Sequence, residues 1–406
     1  MSSECGILMT HGRRISVLYR MMAMMLLNTL LLLIGLELAA GAVLTIATFP
    51  TVKGLLAQVT GKPNDLVSHY RALPYYAEQD WSSRYWQEHQ LALKKSYYPY
   101  VIWRSPAFTG TMLNIDQDGI RQTPGAECSP DAYKLFIFGG SAIWGWGAPD
   151  WGTIPAYLQA ELQAREDRPV CVINFGENAY ISTQSRIQLE LMLETGNVPD
   201  AVIFYDGVNE VLAASQTGQP ILHQNYAEIM NRFQNPQPPL ISWFQSLNSV
   251  QLLQQVMLQT GVSGNKGNAH HPVDTDQLAK AIAQAYLNHC KIVSALAETY
   301  EFDAYFFWQP YILIGDKPLT NEEQSMMTEL DWVLVMDPEL IALFTATYKR
   351  IESAAPTHQN LYYIAPVFDG VESQLWIDTW GHVTPEGNRL IAQKMLPIIE
   401  KQLAEK

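Results

Sequence analysis

The sequence predicts an α/β fold of three layers, in which a five-stranded parallel sheet lies between helices, after one N-terminal transmembrane helix. Short apolar runs alternate with amphipathic helical stretches, and a longer apolar run lies near the N-terminus. Strands that are buried on both faces of a parallel sheet have such continuous apolar runs. The predicted strands are residues 134–139, 170–175, 201–206, 305–310 and 361–368.

The helical stretches between these strands indicate a doubly wound sheet, whose site should lie at the carboxyl ends of its strands. The predicted helices are residues 154–165, 183–194, 275–300 and 385 to about 403. Two segments interrupt the alternation and are predicted insertions, at about 211–275 and 313–359. The first contains the loop-like sequences QNPQPP and GVSGNKGNAHHPVD, and a lid or a substrate wall would sit there.

Residues 21–47 are long and apolar enough to cross a bilayer as a helix, and Glu37 is their one charge. Three arginines precede this run, at positions 13, 14 and 20. The positive-inside rule then places residues 1–20 in the cytoplasm and the rest of the chain outside. A small-residue triplet, Ala40-Gly41-Ala42, has the form of a signal-peptide cleavage site. Because the apolar run continues past it, we favour an uncleaved anchor over a secreted or periplasmic product.

The remaining chain divides into residues 48–130, predicted as a stalk and an N-terminal extension, and residues 131–406, predicted as the α/β domain. A net charge of −14 argues against nucleic acid as a partner, because phosphates need a basic surface. The four cysteines at positions 5, 128, 171 and 290 form no C-x-x-C pair. We expect them to be buried and reduced; one disulfide with a free thiol is the alternative.

The first predicted strand leads directly into Gly139-Gly140-Ser141. A serine flanked by glycines at the carboxyl end of a buried strand is where a nucleophile would be presented, because glycine allows a sharp turn. The segment is not the G-x-S-x-G elbow, since Ile143 stands at the second glycine position. It is not a phosphate loop either, because no Gly-Lys-Ser/Thr follows. An ordinary glycine-serine loop remains the alternative.

The second and third predicted strands end in Asn174-Phe175-Gly176 and Asp206-Gly207-Val208-Asn209. Acyl transfer needs hydrogen-bond donors placed around a developing oxyanion. The backbone N–H groups of Ser141 and Gly176 and the side chain of Asn209 are candidates, since all follow carboxyl ends of strands. In the alternative interpretation, the glycines only form turns and Asn209 caps a helix.

The C-terminal segment WIDTWGHVTPEGN places His382 in a loop just before the last helix. Thr384 is predicted to cap that helix, with Pro385 at its first position. His382 can then act as a base towards Ser141, and Asp378 can orient its imidazole. The other histidines, including His270, His271 and His289, are interpreted as surface residues. No metal site is predicted, because the adjacent histidines lack a third ligand.

In this order the four segments resemble four sequence blocks of the SGNH/GDSL hydrolase superfamily, over about residues 134 to 400. The resemblance implies a flavodoxin-like SGNH fold, a hydrolase and no cofactor. It implies a nucleophile at Ser141, and a base and an acid at His382 and Asp378. It also implies that Gly176 and Asn209 are oxyanion donors.

The sequence departs from the family pattern at three places. The usual G-D-S is Gly139-Gly140-Ser141 here, and the usual G-x-N-D ends in Glu210. Three residues separate Asp378 from His382, where the family has two, so that Thr379 occupies the usual acid position. The acid is therefore Asp378, reaching from one residue further away, or another residue such as Asp369.

These residues predict a serine ester hydrolase that acts on an acylated small molecule, lipid or glycan outside the cytoplasm. One alternative is an O-acyltransferase that modifies an extracellular or cell-wall glycan. Another is a non-enzymatic glycan-binding or scaffold protein. Tryptophans near the site, at positions 144, 146, 151 and 380, suit either sugar stacking or core packing.

Overall fold

The computed structural model describes residues 3–47, 66–235, 239–259, 274–327 and 338–403. These residues form two compact units. One comprises Met1–Asn64 and Met230–Gly267, and the other comprises Asp65–Ile229 and Asn268–Lys406.

The helices are α1 Ser3–Ala47, α2 Leu66–Ala72, α3 Pro74–Ala77, α4 Ser82–Ala92, α5 Ser141–Trp144, α6 Ile154–Gln163, α7 Ser182–Glu194, α8 Val208–Thr217, α9 Tyr226–Gln234, α10 Pro239–Ser246, α11 Asn248–Gln259, α12 Thr275–Tyr300, α13 Asn321–Met326, α14 Pro338–Ala354 and α15 Pro385–Leu403. The strands are β1 Ser96–Tyr98, β2 Ile102–Arg104, β3 Phe108–Thr109, β4 Asn114–Ile115, β5 Tyr133–Gly139, β6 Val170–Asn174, β7 Ala201–Asp206, β8 Asp303–Trp308 and β9 Leu361–Tyr363.

A parallel sheet in the order β6-β5-β7-β8-β9 forms the centre of the larger unit. The chain moves from β5 outward to β6 and then returns across β5 to β7, so the strand order reverses at β5. Such a reversal opens a crevice at the carboxyl ends of the strands. Helices on both faces bury the sheet, as the continuous apolar runs predict. The predicted fold class is confirmed.

The predicted strands and helices are present, with small shifts at their ends. The last strand is shorter than predicted: β9 ends at Tyr363, and Ala365–Phe368 form a 3-10 turn. Pro366 lies in this turn, and proline has no N–H for a strand ladder. The predicted insertion at 313–359 is only partly an insertion, because α14 is the crossover helix between β8 and β9. Its apolar face, including Leu343 and Phe344, is buried against the core.

The residues after 65 pack on the α/β core through an aromatic cluster of their own. Tyr70, Tyr76, Tyr85 and Trp86 are buried in this cluster together with Trp144 of the main domain. The rings of Tyr70 and Trp86 are stacked, with centroids 4.6 Å apart. The extension is thereby joined to the segment that follows Ser141. Residues 48–65 of the range 48–130, which was predicted as a stalk and an N-terminal extension, lie outside the described residues.

The expectation that the cysteines are all reduced is wrong for two of them, since Cys128 and Cys171 form a disulfide. Cys171 lies on β6, and the chain just before Cys128 runs beside that strand: the Glu127 N–H donates to the Val170 carbonyl at 3.1 Å. This pairing brings the two Cα atoms to 4.8 Å. Cys290 is a buried free thiol. The alternative of one disulfide with a free thiol therefore fits these three cysteines.

The smaller unit contains α1 and the helices α10 and α11 from the first predicted insertion. Within α1, Tyr19–Ile46 is long and apolar enough to cross a membrane. The part of the insertion between Met230 and Gly267 groups with α1, not with the sheet. Half of QNPQPP and all but the last residue of GVSGNKGNAHHPVD, including His270 and His271, lie outside the described residues. The lid function stays a prediction.

Candidate active site

Ser141 is the first residue of α5, directly after the carboxyl end of β5. The backbone comes so close to its neighbours here that only glycine fits before the serine. A Cβ atom on Gly140 would lie 2.1 Å from Asn209 Nδ2, and one on Gly139 would lie 2.6 Å from the Tyr205 carbonyl oxygen. The glycines thus allow the Asn209 amide to approach the residue beside Ser141.

The structure brings Ser141, His382 and Asp378 into one hydrogen-bonded chain. Ser141 Oγ lies 2.6 Å from His382 Nε2, and His382 Nδ1 lies 2.6 Å from Asp378 Oδ2. His382 and Asp378 are both buried, while Ser141 is partly accessible. A base with one nitrogen on the hydroxyl and the other on a carboxylate can take the hydroxyl proton in the required tautomer.

The loop that carries Asp378 and His382 is closed like a small hairpin. Ile377 N–H donates to the His382 carbonyl at 3.1 Å, and Thr384 N–H donates to the Leu375 carbonyl at 2.8 Å. Gly381 has φ +87°, a left-handed conformation that suits glycine. The extra residue between Asp378 and His382 is accommodated in this tight loop, and the Asp378 carboxylate still reaches the imidazole.

The cap of the last helix is confirmed. α15 begins at Pro385, and Thr384 Oγ1 accepts a hydrogen bond from the Gly387 N–H at 3.3 Å. This cap fixes the direction in which the chain leaves the hairpin and joins the helix. His382 is therefore held between a closed loop and a capped helix.

The Asp378 carboxylate accepts four hydrogen bonds and has no freedom to rotate. Its Oδ1 accepts from the backbone N–H groups of Trp380 and His382, at 2.9 and 3.2 Å. Its Oδ2 accepts from the Tyr70 hydroxyl at 2.5 Å, in addition to its contact with His382. Burial, followed by the nearby Asp378 carboxylate, raises the pKa of Tyr70 well above its usual value, so the phenol stays protonated and donates. Sequence reasoning missed Tyr70, which lies in the extension.

The four tryptophans singled out in the sequence have different environments. Trp144 is fully buried in the core. The Trp146 ring stacks on the His382 imidazole, with centroids 5.1 Å apart and planes 13° from parallel. Trp380 is partly buried, and Trp151 is exposed. Core packing therefore accounts for Trp144, and Trp146 fixes the orientation of the His382 ring.

Asn209 lies in the first turn of α8, and its side chain is held at both ends. Its Nδ2 donates to the Tyr180 carbonyl at 2.8 Å, and its Oδ1 accepts from Gln224 Nε2 at 3.0 Å. The residue that caps α8 is Gly207. The alternative in which Asn209 is only a helix cap is therefore wrong. One Nδ2 proton is used by Tyr180, and no other described hydrogen bond uses the second.

Glu210 holds the turn that presents Asn209. Its carboxylate accepts from the backbone N–H groups of Gly207 and Ser182, both at 2.7 Å. Burial raises the pKa of Glu210 above its usual value. Burial also raises the pKa of Asp206 well above its usual range, and the nearby Glu210 raises it further. The glutamate at the usual aspartate position of the family pattern thus ties the start of α8 to α7.

The predicted role of Gly176 as an oxyanion donor conflicts with its contacts. Its N–H donates to Asn174 Oδ1 at 3.0 Å, so it is already engaged within its own turn. A Cβ here would lie 2.3 Å from the Trp144 backbone nitrogen, so Gly176 provides a close approach between β6 and α5. Ala179, three residues later, has φ +64° although it is not glycine. Among the described residues its N–H has no hydrogen-bond partner.

Arg121, which sequence reasoning did not single out, clamps the segment that follows the nucleophile. Its guanidinium is fully buried and donates to the carbonyls of Trp144, Gly145 and Ala148 at 2.8, 2.7 and 2.6 Å. It also pairs with Asp150 at 2.9 Å. No local pattern indicates this role, because the three carbonyls belong to a distant part of the chain.

Within the described ranges, no group of three or more histidine, cysteine or carboxylate side chains could hold a metal ion. The interpretation of His289 as a surface residue is wrong. It lies on the inner face of α12, buried against Phe204, Tyr286 and Phe306 of the core. Burial lowers its pKa to about 3.

The chain is similar to solved structures of esterases and lipolytic proteins. Among them are an acetyl xylan esterase, a member of the G-D-S-L lipolytic family from Veillonella parvula, and a psychrotrophic esterase from Pseudoalteromonas sp.. The acetyl xylan esterase is 15% identical with a TM-score of 0.35, and the match covers 66% of this chain and 99% of that one. The Veillonella protein is 14% identical with a TM-score of 0.34, and the match covers 65% and 97%. The Pseudoalteromonas esterase is 13% identical with a TM-score of 0.33, and the match covers 67% and 99%. No family model matches the sequence, and no curated protein matches it.

Proposed function

We propose that this protein is a serine ester hydrolase that acts on acylated substrates outside the cytoplasm. The observation that carries the proposal is the chain from Ser141 Oγ through the His382 imidazole to the Asp378 carboxylate, with both contacts at 2.6 Å. A hydroxyl, a base and an orienting carboxylate in this order are what nucleophilic acyl transfer requires.

In the first half of the reaction, Ser141 Oγ attacks the ester carbonyl while His382 Nε2 takes its proton. The imidazolium is stabilised by Asp378 on Nδ1 and then gives the proton to the leaving alkoxide, which departs as an alcohol. The substrate carbonyl oxygen becomes an oxyanion. Donors proposed for it are the Ser141 N–H at the start of α5 and the second Nδ2 proton of Asn209, each worth about 3 kcal/mol.

A further backbone donor is needed in place of Gly176, and we assign it to Ala179. Its N–H has no hydrogen-bond partner within the described ranges. The carbonyl of the next residue, Tyr180, accepts a hydrogen bond from Asn209 Nδ2. The Tyr180 carbonyl oxygen also lies 3.4 Å from the position that a Cβ on Gly140 would occupy. The Tyr180 carbonyl, one residue after Ala179, is thus adjacent to the nucleophile turn.

In the second half, His382 takes a proton from water, and the resulting hydroxide attacks the acyl-enzyme. The ester bond to Ser141 Oγ breaks, the serine recovers its proton from the imidazolium, and the carboxylic acid is released. The burial of His382 and Asp378 strengthens their charge interaction during both halves, because the local dielectric constant is low.

The location outside the cytoplasm is supported by the disulfide and by the apolar helix. Disulfides such as Cys128–Cys171 persist in oxidising compartments. Arg13, Arg14 and Arg20 precede the apolar part of α1, which favours an orientation with the larger unit outside. We propose that α1 is an uncleaved anchor, and co-flotation of the full-length protein with lipid vesicles tests this.

Hydrolysis of p-nitrophenyl acetate by the purified protein tests the function. Ser141→Ala should retain less than a few per cent of the rate while the unfolding transition is unchanged. The matched control is Ser215→Ala: the Ser215 hydroxyl donates only within α8, to the Leu212 carbonyl at 2.8 Å, and its loss should leave the rate unaltered. Wild-type rates in the Ser141 variant would refute the proposal. Product analysis with a glycan acceptor present distinguishes hydrolysis from acyl transfer.

A further inference from the structure

The smaller unit has an exposed apolar surface that the proposed esterase does not use. It belongs to α10 and α11, which we name the insertion pair, Pro239–Ser246 with Asn248–Gln259. Residues 239–259 contain no aspartate, glutamate, lysine or arginine. Four large apolar side chains are nevertheless exposed: Ile241 43%, Trp243 56%, Phe244 55% and Leu253 58%. A cluster of this kind on an uncharged segment usually marks a binding surface.

The insertion pair is attached to α1 by the one charge in the apolar run. Glu37 accepts hydrogen bonds from the backbone N–H groups of Asn248 and Ser249 and from Ser249 Oγ, the last two at 3.1 and 2.8 Å. These N–H groups are at the first turn of α11, where a carboxylate is favoured by the helix dipole. Glu37 therefore has a structural partner for its charge.

The contact covers one narrow face at one end of the apolar helix. Glu37, Ala40, Gly41 and Leu44 are the residues between 19 and 46 that are not exposed. Their spacing of three, four and seven places them on one face of α1. A Cβ on Gly41 would lie 3.0 Å from Asn248 Nδ2, so the two helices approach closely there. Every residue from 19 to 36 is exposed.

The length of the part of α1 that is exposed on every face, residues 19–36, sets the depth of the insertion pair. Residues 19–36 span about 27 Å at 1.5 Å per residue, close to the roughly 30 Å thickness of a bilayer's hydrocarbon core. Glu37 then lies at the outer boundary of the hydrocarbon, where a carboxylate with three donors can be accommodated. The start of α11 is at the same level, because it is bonded to Glu37.

We propose that Glu37 holds the insertion pair at the outer surface of the membrane, where Trp243 and Phe244 insert among the lipids. The inference rests on the proposal that α1 spans the membrane. Tryptophan and phenylalanine favour the interface between headgroups and acyl chains. Because residues 239–259 carry no basic side chain, this surface recognises uncharged or zwitterionic lipid and not anionic headgroups.

The test uses the full-length protein in phosphatidylcholine vesicles with acyl chains brominated near the headgroup or near the bilayer centre. The emission of Trp243 is obtained as the difference between wild type and Trp243→Phe. We expect this difference spectrum to be blue-shifted and to lose most of its intensity with the shallow bromines. Added salt or anionic lipid should not change the loss. The control is Trp308→Phe, because Trp308 is fully buried in the sheet and no lipid reaches it.

A Trp243 signal that no brominated lipid quenches, in protein that floats with the vesicles, overturns the proposal. Dependence of the quenching on anionic lipid overturns the assigned lipid chemistry. Glu37→Leu, which removes the acceptor and keeps α1 apolar, should abolish most of the Trp243 quenching, and unchanged quenching refutes the role of Glu37. Failure to float refutes the anchor. Hydrolysis of p-nitrophenyl acetate by the same samples reports the esterase separately.

Discussion

Replacement of Asp378 by asparagine should disable the base without disturbing the fold, for a reason that follows from the contacts of the carboxylate. Oδ1 of Asp378 accepts hydrogen bonds from the backbone N–H groups of Trp380 and His382. In Asp378→Asn the amide oxygen must remain there, because an NH2 group cannot accept these bonds. The amide nitrogen then occupies the Oδ2 position, 2.6 Å from His382 Nδ1.

An amide nitrogen at that position reverses the polarity of the contact. It donates to Nδ1, so the imidazole proton moves to Nε2, the nitrogen that faces Ser141. A protonated Nε2 cannot take the serine proton. The equivalent exchange in a serine protease lowers kcat by about 10⁴, and we expect a loss of at least about 100-fold here. The backbone bonds to the side-chain oxygen remain, but the Tyr70 hydroxyl loses its charged acceptor at Oδ2, so the free energy of unfolding should fall by no more than the roughly 1.5–3 kcal/mol of that one hydrogen bond.

The assay is steady-state hydrolysis of p-nitrophenyl acetate, with kcat and KM measured separately. Asp369→Asn is the matched control, because it makes the same exchange in the alternative acid. Asp369 Oδ1 accepts from the Asp316 N–H at 2.7 Å and has no contact with His382 among the described hydrogen bonds, so its kcat should equal the wild-type value. A normal kcat for Asp378→Asn, or a loss in Asp369→Asn, would refute the assignment of the acid.

Tyr70→Phe tests whether the Tyr70 hydroxyl only holds the Asp378 carboxylate in place, while Asp378 itself orients the His382 imidazole. It removes one hydrogen bond to Asp378 Oδ2 and leaves the contact with His382 in place. Hydrogen bonds to charged groups contribute about 1.5–3 kcal/mol, so the free energy of unfolding should fall by that amount. We expect kcat to fall less than in Asp378→Asn. An equal loss of kcat in both variants would contradict this division of roles.

Asn209→Ala should lower kcat by about 100-fold to 1000-fold with little change in KM, as expected for loss of one oxyanion donor, and an unchanged kcat would remove Asn209 from the site. Arg121→Met should lower the free energy of unfolding in urea by about 3–5 kcal/mol, because the buried Asp150 carboxylate loses its cationic partner. A loss below about 1 kcal/mol would contradict the stabilising role of Arg121. The pKa of His289 falls from 6.5 to about 3 on folding, so the unfolded chain binds the proton first as pH falls. Its contribution to stability is complete above pH 6.5 and is lost towards pH 3, at about 1.4 kcal/mol per pH unit. His289→Phe should flatten the decline in unfolding free energy between these pH values. An unaltered slope of unfolding free energy against pH would contradict this role of His289.

The sequence determined the sheet, its helices and the end of the sheet at which the site lies. Burial on both faces requires continuous apolar runs, and helix boundaries depend on local signals such as Thr384-Pro385. Both are properties of neighbouring residues, so they can be read along the chain. The carboxyl ends of parallel strands meet at one edge of a sheet, and this rule alone predicts that the segments of Ser141 and Asn209 lie close together.

Only the tertiary structure decided which atoms in those segments meet. The Gly176 N–H is taken up by Asn174, and the Asp378 carboxylate reaches His382 through a loop that turns at Gly381. Tyr70 reaches Asp378 from a part of the chain 308 residues away. Hydrogen bonds depend on the direction and distance of single atoms, and these are set by packing between elements that are remote in sequence. Local patterns do not encode that packing, and for the same reason the Cys128–Cys171 pair and the buried site of Arg121 became visible only in the folded chain.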